Sequence, residues 1–269
     1  MALFRLQESL EQGRFLVAER DIEEGQSILT DTASVVGPFT VSVPICLACH
    51  VSLVPGSSPF CPQGCGFQLC ANCSTSPLDE NNEVNNKDWH QLECRTINQK
   101  SQEEEKRSPP NVTPVIYNKP NPAYSWVTPL RLLLLQKETF IVQNSNTVAS
   151  DLKKLEHNTE LRQKLDPTSW KLHEKYVVEP LHHKGWEKEE VRQALGVLLT
   201  NTLSIGIEGG YEIMGLFPQY AMLNHSCAHN TTTNISSDKK QFKVEVKAKR
   251  KIMRGEEITT RYLPILQGR

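Results

Sequence analysis

At 269 residues, with 38% hydrophobic and 23% charged side chains, the chain is long enough to bury one core and to carry a small satellite module. Thirty basic residues against 31 acidic ones leave a formal charge of -1, which excludes a bulk electrostatic pull toward nucleic acid or an anionic membrane. The N-terminus, MALFRLQESLEQGRF, is charged every few residues and has no long apolar run, so neither a secretory signal nor a membrane span is expected there and the protein is expected to stay inside the cell.

In chain order, the first organised feature is half of a repeat. AERDIEEGQSI (Ala18 to Ile28) returns near the other end as AKRKIMRGEEI (Ala248 to Ile258), with Ala, Arg, Ile, Gly and Ile at the same offsets. Each copy reads as strand, glycine turn, strand, and the pair predicts a β-domain split between the two ends of the chain.

Seven of the eight cysteines then fall between Cys46 and Cys94. They form Cys46-x2-Cys49, Cys61-x3-Cys65 and Cys70-x2-Cys73, with His90-x3-Cys94 as a fourth pair. Each spacing lets a pair hold one edge of a metal tetrahedron, and eight ligands make two closed, structural zinc sites with no open position for catalysis. An insert of this size with few large apolar side chains depends on such ions to fold. His50 follows Cys49 but fits neither site. The residues STSPLDENNEVNNKDW between Cys73 and His90 should form an extruded loop.

A polar segment follows, SQEEEKRSPPNVTPVIYNKPNP, whose charge run and prolines read as a linker. A helical stretch is expected from about Val127 to Leu199. Thr128 and Pro129 stand as cap and first helical position ahead of LRLLLLQK, and Val191, Ala194, Leu195, Leu198 and Leu199 recur at i, i+3, i+4, i+7 and i+8. These helices are expected to pack the core and carry no chemistry. Beyond them Phe242, Val244, Val246 and Ala248 alternate with Lys243, Glu245, Lys247 and Lys249, as in a half-buried strand. Asn111, Asn230 and Asn234 begin glycosylation sequons, to which a chain that stays inside the cell gives no role.

The cysteine block resembles the MYND finger, whose ligands interleave. The resemblance implies Cys46, Cys49, Cys70 and Cys73 around one ion and Cys61, Cys65, His90 and Cys94 around the other, with sequential pairing as the alternative. GRFLVAERDIEEGQSI, LNHSCAHN (Leu223 to Asn230) and GEEITTRYL (Gly255 to Leu263), in that order around the finger, resemble the SET domain of the SET-and-MYND (SMYD) protein-lysine methyltransferases. The implied fold class is α+β: a split SET β-fold with an inserted MYND zinc finger and a helical insert. The corresponding domains are 1–45 and 201–269 for the two SET parts, 46–94 for the finger, 95–126 for the linker and 127–200 for the helical insert.

The implied activity is S-adenosylmethionine-dependent methylation of a protein lysine, on histone or non-histone partners, in the nucleus, the cytoplasm or both. By the same resemblance Gly13, Arg14 and Phe15 lie along S-adenosylmethionine through their backbone, Asn224 and His225 grip its polar parts, and Asn201 reaches it from the helical insert. Tyr262 is the implied catalytic tyrosine and also borders the cofactor, its hydroxyl orienting the amine and lying close to the transferring methyl group in a positional and electrostatic role. A different class of function is an adaptor whose finger binds proline-rich peptides while the SET scaffold stays catalytically silent. Direct DNA binding is disfavoured by Asp79, Glu80, Glu83, Asp88 and Glu93 in the finger.

Three departures from the family pattern bear on activity. Phe15 stands where the second glycine of Gly-x-Gly is usual, and His229 where NHSC-x-Pro-Asn has proline. The sequence ends seven residues past Tyr262, where the family continues into a cysteine-rich post-SET segment. That ending reads as a truncated product or a fragment, and it leaves Cys227 expected as a small buried side chain instead of a zinc ligand.

Overall fold

The two copies of the repeat pair with each other. In the computed structural model, which describes residues 2–39, 44–53, 58–75, 89–98, 123–137, 152, 154–238 and 241–262, Ile22 and Ile252 form an antiparallel bridge. Their amides and carbonyls are joined by two hydrogen bonds of 2.9 Å. Around it Gly255 N–H donates to Ala18 O (2.8 Å) and Gly25 N–H to Ala248 O (2.9 Å), so the contacts of one copy are repeated by the other. The shared residues are those the geometry demands. Ile22 and Ile252 are fully buried, Ala18 and Ala248 nearly so, and Gly25 and Gly255 take φ of 78° and 87°, where a side chain is disfavoured.

Strands β1 (Phe4–Ser9), β2 (Gly13–Ala18) and β3 (Ser27–Thr32) precede β4 (Val35–Gly37); β5 (Thr202–Ile207), β6 (Tyr211–Leu216), β7 (Asn224–His225), β8 (Thr231–Asp238), β9 (Gln241–Ala248) and β10 (Glu257–Thr260) follow the helices. The chain divides into two compact units, Met1–Ser34 with Phe217–Arg269, and Val35–Leu216.

The first unit holds two sheets, ordered β1-β2-β10-β7 and β3-β9-β8. All pairings in them are antiparallel except one: β10 runs parallel to β7, with Thr259 opposite Asn224 and Thr260 opposite His225. On β9 the expected alternation holds, with Val244, Val246 and Ala248 buried and Lys243 and Lys247 exposed.

The second unit combines a β4-β6-β5 sheet with helices α1 (Ala71–Thr75), α2 (Trp89–Asn98), α3 (Tyr124–Gln136), α4 (Thr159–Leu165), α5 (Pro167–His173), α6 (Glu179–His183) and α7 (Lys188–Asn201). Helix α3 is buried from Val127 through Leu135, as an all-round apolar helix at the centre of a unit must be. It starts earlier than its sequence signals suggest. Tyr124 opens it, and Pro129 lies inside instead of at the first position. The reason is tertiary: the Tyr124 ring is buried, its hydroxyl accepts from Ile45 N–H (3.1 Å), and Thr128 Oγ1, which was expected to cap, donates to Pro38 O (3.1 Å).

Between α5 and α6 the helix opens into a π turn at Glu174–Val178. Pro180 has no N–H for the carbonyl of Tyr176, and the wider turn absorbs the missing bond. On α7 the expected stripe is buried at Val191, Ala194, Leu195 and Leu198, but Leu199 is 40% exposed; Gly196 and Val197 are buried in its stead. Among the described residues no helix is long and apolar enough to cross a membrane. Of the expected linker, 95–98 end α2 and 124–126 open α3, while 99–122 lie outside the described residues, as do 76–88 of the expected loop.

Candidate functional site

In the second unit the cysteine pairs converge as two groups, Cys46 with Cys49, Cys70 and Cys73, and Cys61 with Cys65, His90 and Cys94; in each, all ligand atoms lie within 4.8 Å of one another. The grouping is the interleaved one. Each pair sits on a local turn: His50 N–H bonds Cys46 O (2.7 Å), Gly64 N–H bonds Cys61 O (3.0 Å) with Gly64 at φ 79°, and Cys73 N–H bonds Cys70 O (3.1 Å). His90 and Cys94 share one face of α2, four residues apart.

The donor separations fit a zinc tetrahedron. Zn–S bonds of about 2.3 Å give sulfur–sulfur edges of about 3.8 Å, and with Zn–N of about 2.0–2.1 Å sulfur–nitrogen edges of about 3.5 Å. Cys49 Sγ lies 3.7 Å from Cys70 Sγ, Cys61 Sγ 3.7 Å from Cys94 Sγ, and Cys65 Sγ 3.6 Å from His90 Nε2. All these cysteines are free thiols. Packed so closely they cannot all ionise: the bonds from Cys49 and Cys73 drive Cys46 down, while Cys46 pushes Cys49 up to about 12. A divalent cation would replace that competition with attraction to all four donors. His50 belongs to neither group.

A buried polar network backs the second group. His90 Nδ1 faces Glu93 Oε1 (3.1 Å), which leaves Nε2 toward the cysteines. Both Glu93 oxygens accept from Arg131, from Nε at 2.6 Å and Nη2 at 2.8 Å. Arg131 Nη1 also reaches Val36 O (2.6 Å) and His50 Nε2 (2.8 Å), and Nη2 reaches Leu47 O (2.6 Å). Arg131 and Glu93 are fully buried. Burial works to raise the Glu93 pKa, but the charge and bonds of Arg131 hold it below the ordinary carboxylate value. Burial first and the Arg131 charge second lower His50 to about 3, making it a neutral acceptor.

Helix α3 therefore does more than the apolar packing expected of it. The sequence signals were a lone arginine in TPLRLLLL and a glutamate three residues after His90.

In the first unit the parallel pairing of β7 and β10 brings LNHSC and GEEITTRY side by side. Ser226 N–H continues it by donating to Thr260 O (2.9 Å). Tyr262 N–H donates to His225 Nδ1 (3.0 Å), the two rings lie 5.5 Å apart, and the Tyr262 hydroxyl donates to Leu223 O. Tyr262 is 56% exposed, yet its pKa is raised, by burial first and then by Tyr220 and Glu257. The hydroxyl reaches Leu223 O and the ring packs beside His225, while more than half of the residue's surface stays exposed.

Asn224 Nδ2 donates to Glu257 Oε1 (3.0 Å), and His225 Nε2 lies 3.5 Å from Cys227 Sγ. Cys227 is exposed, contrary to expectation, because it lies in the turn that leaves the edge strand β7. Gly13 has φ 66° with open space where a Cβ would point, and Phe15 is buried at 7% exposure. Asn201 belongs to the second unit, at the end of α7, where Nδ2 donates to Glu156 O and Val197 O, both at 2.8 Å.

Asn230, which closes the LNHSCAHN segment and was given no role of its own in the sequence, is a buried clamp between the two motif segments. Its Oδ1 accepts from Thr259 N–H (2.9 Å), and its Nδ2 donates to Glu257 O (2.8 Å) and Glu256 Oε1 (3.2 Å).

A family model described as SET domain matches residues 13–263. The chain belongs to the SET domain family. It is 26% identical over 266 residues to the SET domain-containing protein SmydA-8, isoform A, of Drosophila melanogaster, covering 95% of this chain and 49% of that protein. Isoform B is 30% identical over 98 residues, covering 34% of this chain and 19% of its own length. The chain thus spans about half the length, or less, of these curated relatives. Among solved structures, the SET domain of LSMT bound to lysine and AdoHcy is similar at a TM-score of 0.41 and 12% identity, covering 98% of this chain and 50% of that one. Rubisco LSMT bound to AdoMet gives 0.37 and 12%, covering 98% and 49%. The α+β split SET fold read from the motifs is the fold of this chain, and its cysteine cluster is consistent with a MYND-like insert.

Proposed function

We propose that this SET chain is an S-adenosylmethionine-dependent protein-lysine N-methyltransferase, acting on histone or non-histone lysines and built around two structural zinc ions. The observation that carries the proposal is the parallel pairing of Asn224–His225 with Thr259–Thr260, which puts Tyr262 on the His225 ring and its hydroxyl on Leu223 O.

The residues fit a cationic, amino-acid-bearing cofactor. The Gly13 backbone borders open space, β7 is an edge strand with one side unused by the sheet, and the Glu257 carboxylate fixes the Asn224 amide. Gly13, Arg14 and Phe15 would lie along it through their backbone, and Asn224 and His225 would grip its polar parts. The Phe15 side chain that replaces the usual glycine is packed inside the unit. When bound, S-adenosylmethionine would supply an electrophilic methyl group to a neutral substrate amine, the S–CH3 bond breaking to leave a neutral thioether as the C–N bond forms, and the resulting ammonium losing its proton to solvent. A phenol of ordinary pKa, about 10, is already neutral at pH 7, and the upward shift of Tyr262 acts in the same direction. Its oxygen can accept from the substrate amine and aim the nitrogen lone pair, a positional role and not that of a base.

The deciding experiment is calorimetric titration of S-adenosylmethionine into the zinc-loaded chain, with Asn224→Ala as control, followed by methyl transfer with Tyr262→Phe. Saturable binding lost in the control, and transfer lost in the phenylalanine variant, are the expected results. No binding heat from a well-folded chain would sink the enzyme reading and favour the adaptor that takes proline-rich peptides through its finger. Transfer that survives Tyr262→Phe would remove the catalytic assignment.

A further inference from the structure

We infer that Arg131 is a positioning residue that couples the two metal groups, so that they gain and lose their ions together. The inference rests on the reading that both groups bind zinc. Arg131 supplies no ligand, yet all five of its N–H donors are used, and they reach both groups.

Toward the second group, its fork holds Glu93, and Glu93 holds His90 Nδ1, which sets the ring so that Nε2 faces Cys65. Toward the first group, it binds Leu47 O and His50 Nε2, both in the turn that carries Cys46 and Cys49. That turn needs an external hold. His50 sits at φ 63°, a left-handed conformation uncommon for a non-glycine residue, and among the contacts that hold it there are its bond to Cys46 O and the guanidinium.

One rigid, planar cation thus holds the histidine of one group and a ligand turn of the other. If the first group lost its ion, the Cys46–Cys49 turn would relax, Leu47 O and His50 would leave Arg131, and the fork that aims His90 would loosen. Metal at one group therefore favours metal at the other, although no ligand is shared.

The test measures zinc affinity at the second group by competition with a chromophoric chelator, in the full chain and in Cys73→Ser, which removes a ligand from the first group alone. The zinc content of the unaltered chain is measured beforehand. Two ions per chain are expected, and fewer than two would overturn the zinc reading itself, separately from the coupling. With two bound, Cys73→Ser should weaken the second group by at least about tenfold, in the range seen when the outer partners of metal ligands are removed. Unchanged affinity would overturn the coupling without any Arg131 variant having to fold.

The same comparison in Arg131→Lys, which keeps the charge but loses the fork, and in Glu93→Gln/Arg131→Met should show little or no coupling. Coupling of unaltered size in those backgrounds would assign it to the interleaved chain and overturn the role of Arg131.

Discussion

Gly196→Ala sets two effects of opposite sign against each other. In the middle of a helix the change should stabilise by about 1 kcal/mol, because alanine loses less backbone entropy. At this position a Cβ would lie 2.4 Å from His157 O and 2.6 Å from Thr159 Oγ1. Ordinary contact begins near 3.4 Å, so a backbone carbonyl would have to move by about 1 Å, and overpacking of that kind costs about 1–3 kcal/mol. The upper end applies, because the segment is tied to the same face of α7: Thr159 Oγ1 bonds Arg192 O, Thr200 Oγ1 bonds His157 O, and Asn201 Nδ2 bonds Glu156 O. The clash wins, for a net loss of about 1–2 kcal/mol. Urea unfolding at fixed zinc should show the midpoint fall by about 0.5 M for a slope near 3 kcal/mol/M. Gly206→Ala, with no atom within 4 Å of its Cβ, serves as control and should change by no more than about 0.5 kcal/mol. A Gly196→Ala chain as stable as the parent would refute the close approach on which this reasoning rests.

Two further predictions concern the first unit. Asn230→Ala should cost about 2–4 kcal/mol, because Thr259 N–H and Glu257 O lose their partner in a buried place; a loss under 1 kcal/mol in the same assay would mean that Asn230 is not the clamp. Asp31 accepts from Gln219 N–H (2.7 Å) and Tyr220 N–H (3.1 Å), but its burial outweighs those bonds and raises its pKa. The folded chain then keeps the Asp31 proton at pH values where the unfolded chain has lost it, so this group's contribution to stability falls as pH rises from about 4 through its raised folded value. The stability difference between Asp31→Asn and the parent should shift in favour of the variant from about pH 4 to pH 6, and a pH-independent difference would contradict the raised pKa.

What could be read in advance was what local physics enforces. The repeat showed itself because a positive-φ glycine and a fully buried isoleucine each tolerate few substitutes, and both copies need them. The cysteine pairs showed themselves because ligand spacing within a turn is narrow. The start of α3 did not, since capping signals at Thr128 and Pro129 were overridden by a distant bond between Tyr124 and Ile45. Leu199 obeyed the helical period and still faces outward, because periodicity locates a stripe but not its width. The Cys227 side chain was expected inside on the strength of residue type alone, and its turn places it outside. Asn230 and Arg131 were the largest omissions. Each is polar, buried and fully bonded by groups far away in sequence, so no window of sequence contains its reason.

That reason can be tested for Arg131 through stability as well as metal. Arg131→Met alone strips the partner from a fully buried Glu93 carboxylate, which should cost about 3–5 kcal/mol in urea unfolding. Glu93→Gln/Arg131→Met removes the uncompensated charge together with its partner, and should recover most of that loss, because a buried ion pair replaced as a whole is close to neutral for stability. If the pair served stability alone, the double variant would behave as the parent in every respect. On the positional reading it should fold nearly as well as the parent but hold zinc at the second group about 10–100-fold more weakly, since the acceptor at position 93 that aims His90 is then neutral and no longer fixed by the guanidinium fork. A double variant that is both stable and undiminished in zinc affinity would leave the buried arginine without the role argued for it. A double variant as unstable as Arg131→Met would show that the bonds to Val36 O and Leu47 O, and not the charge on Glu93, are what the fold requires.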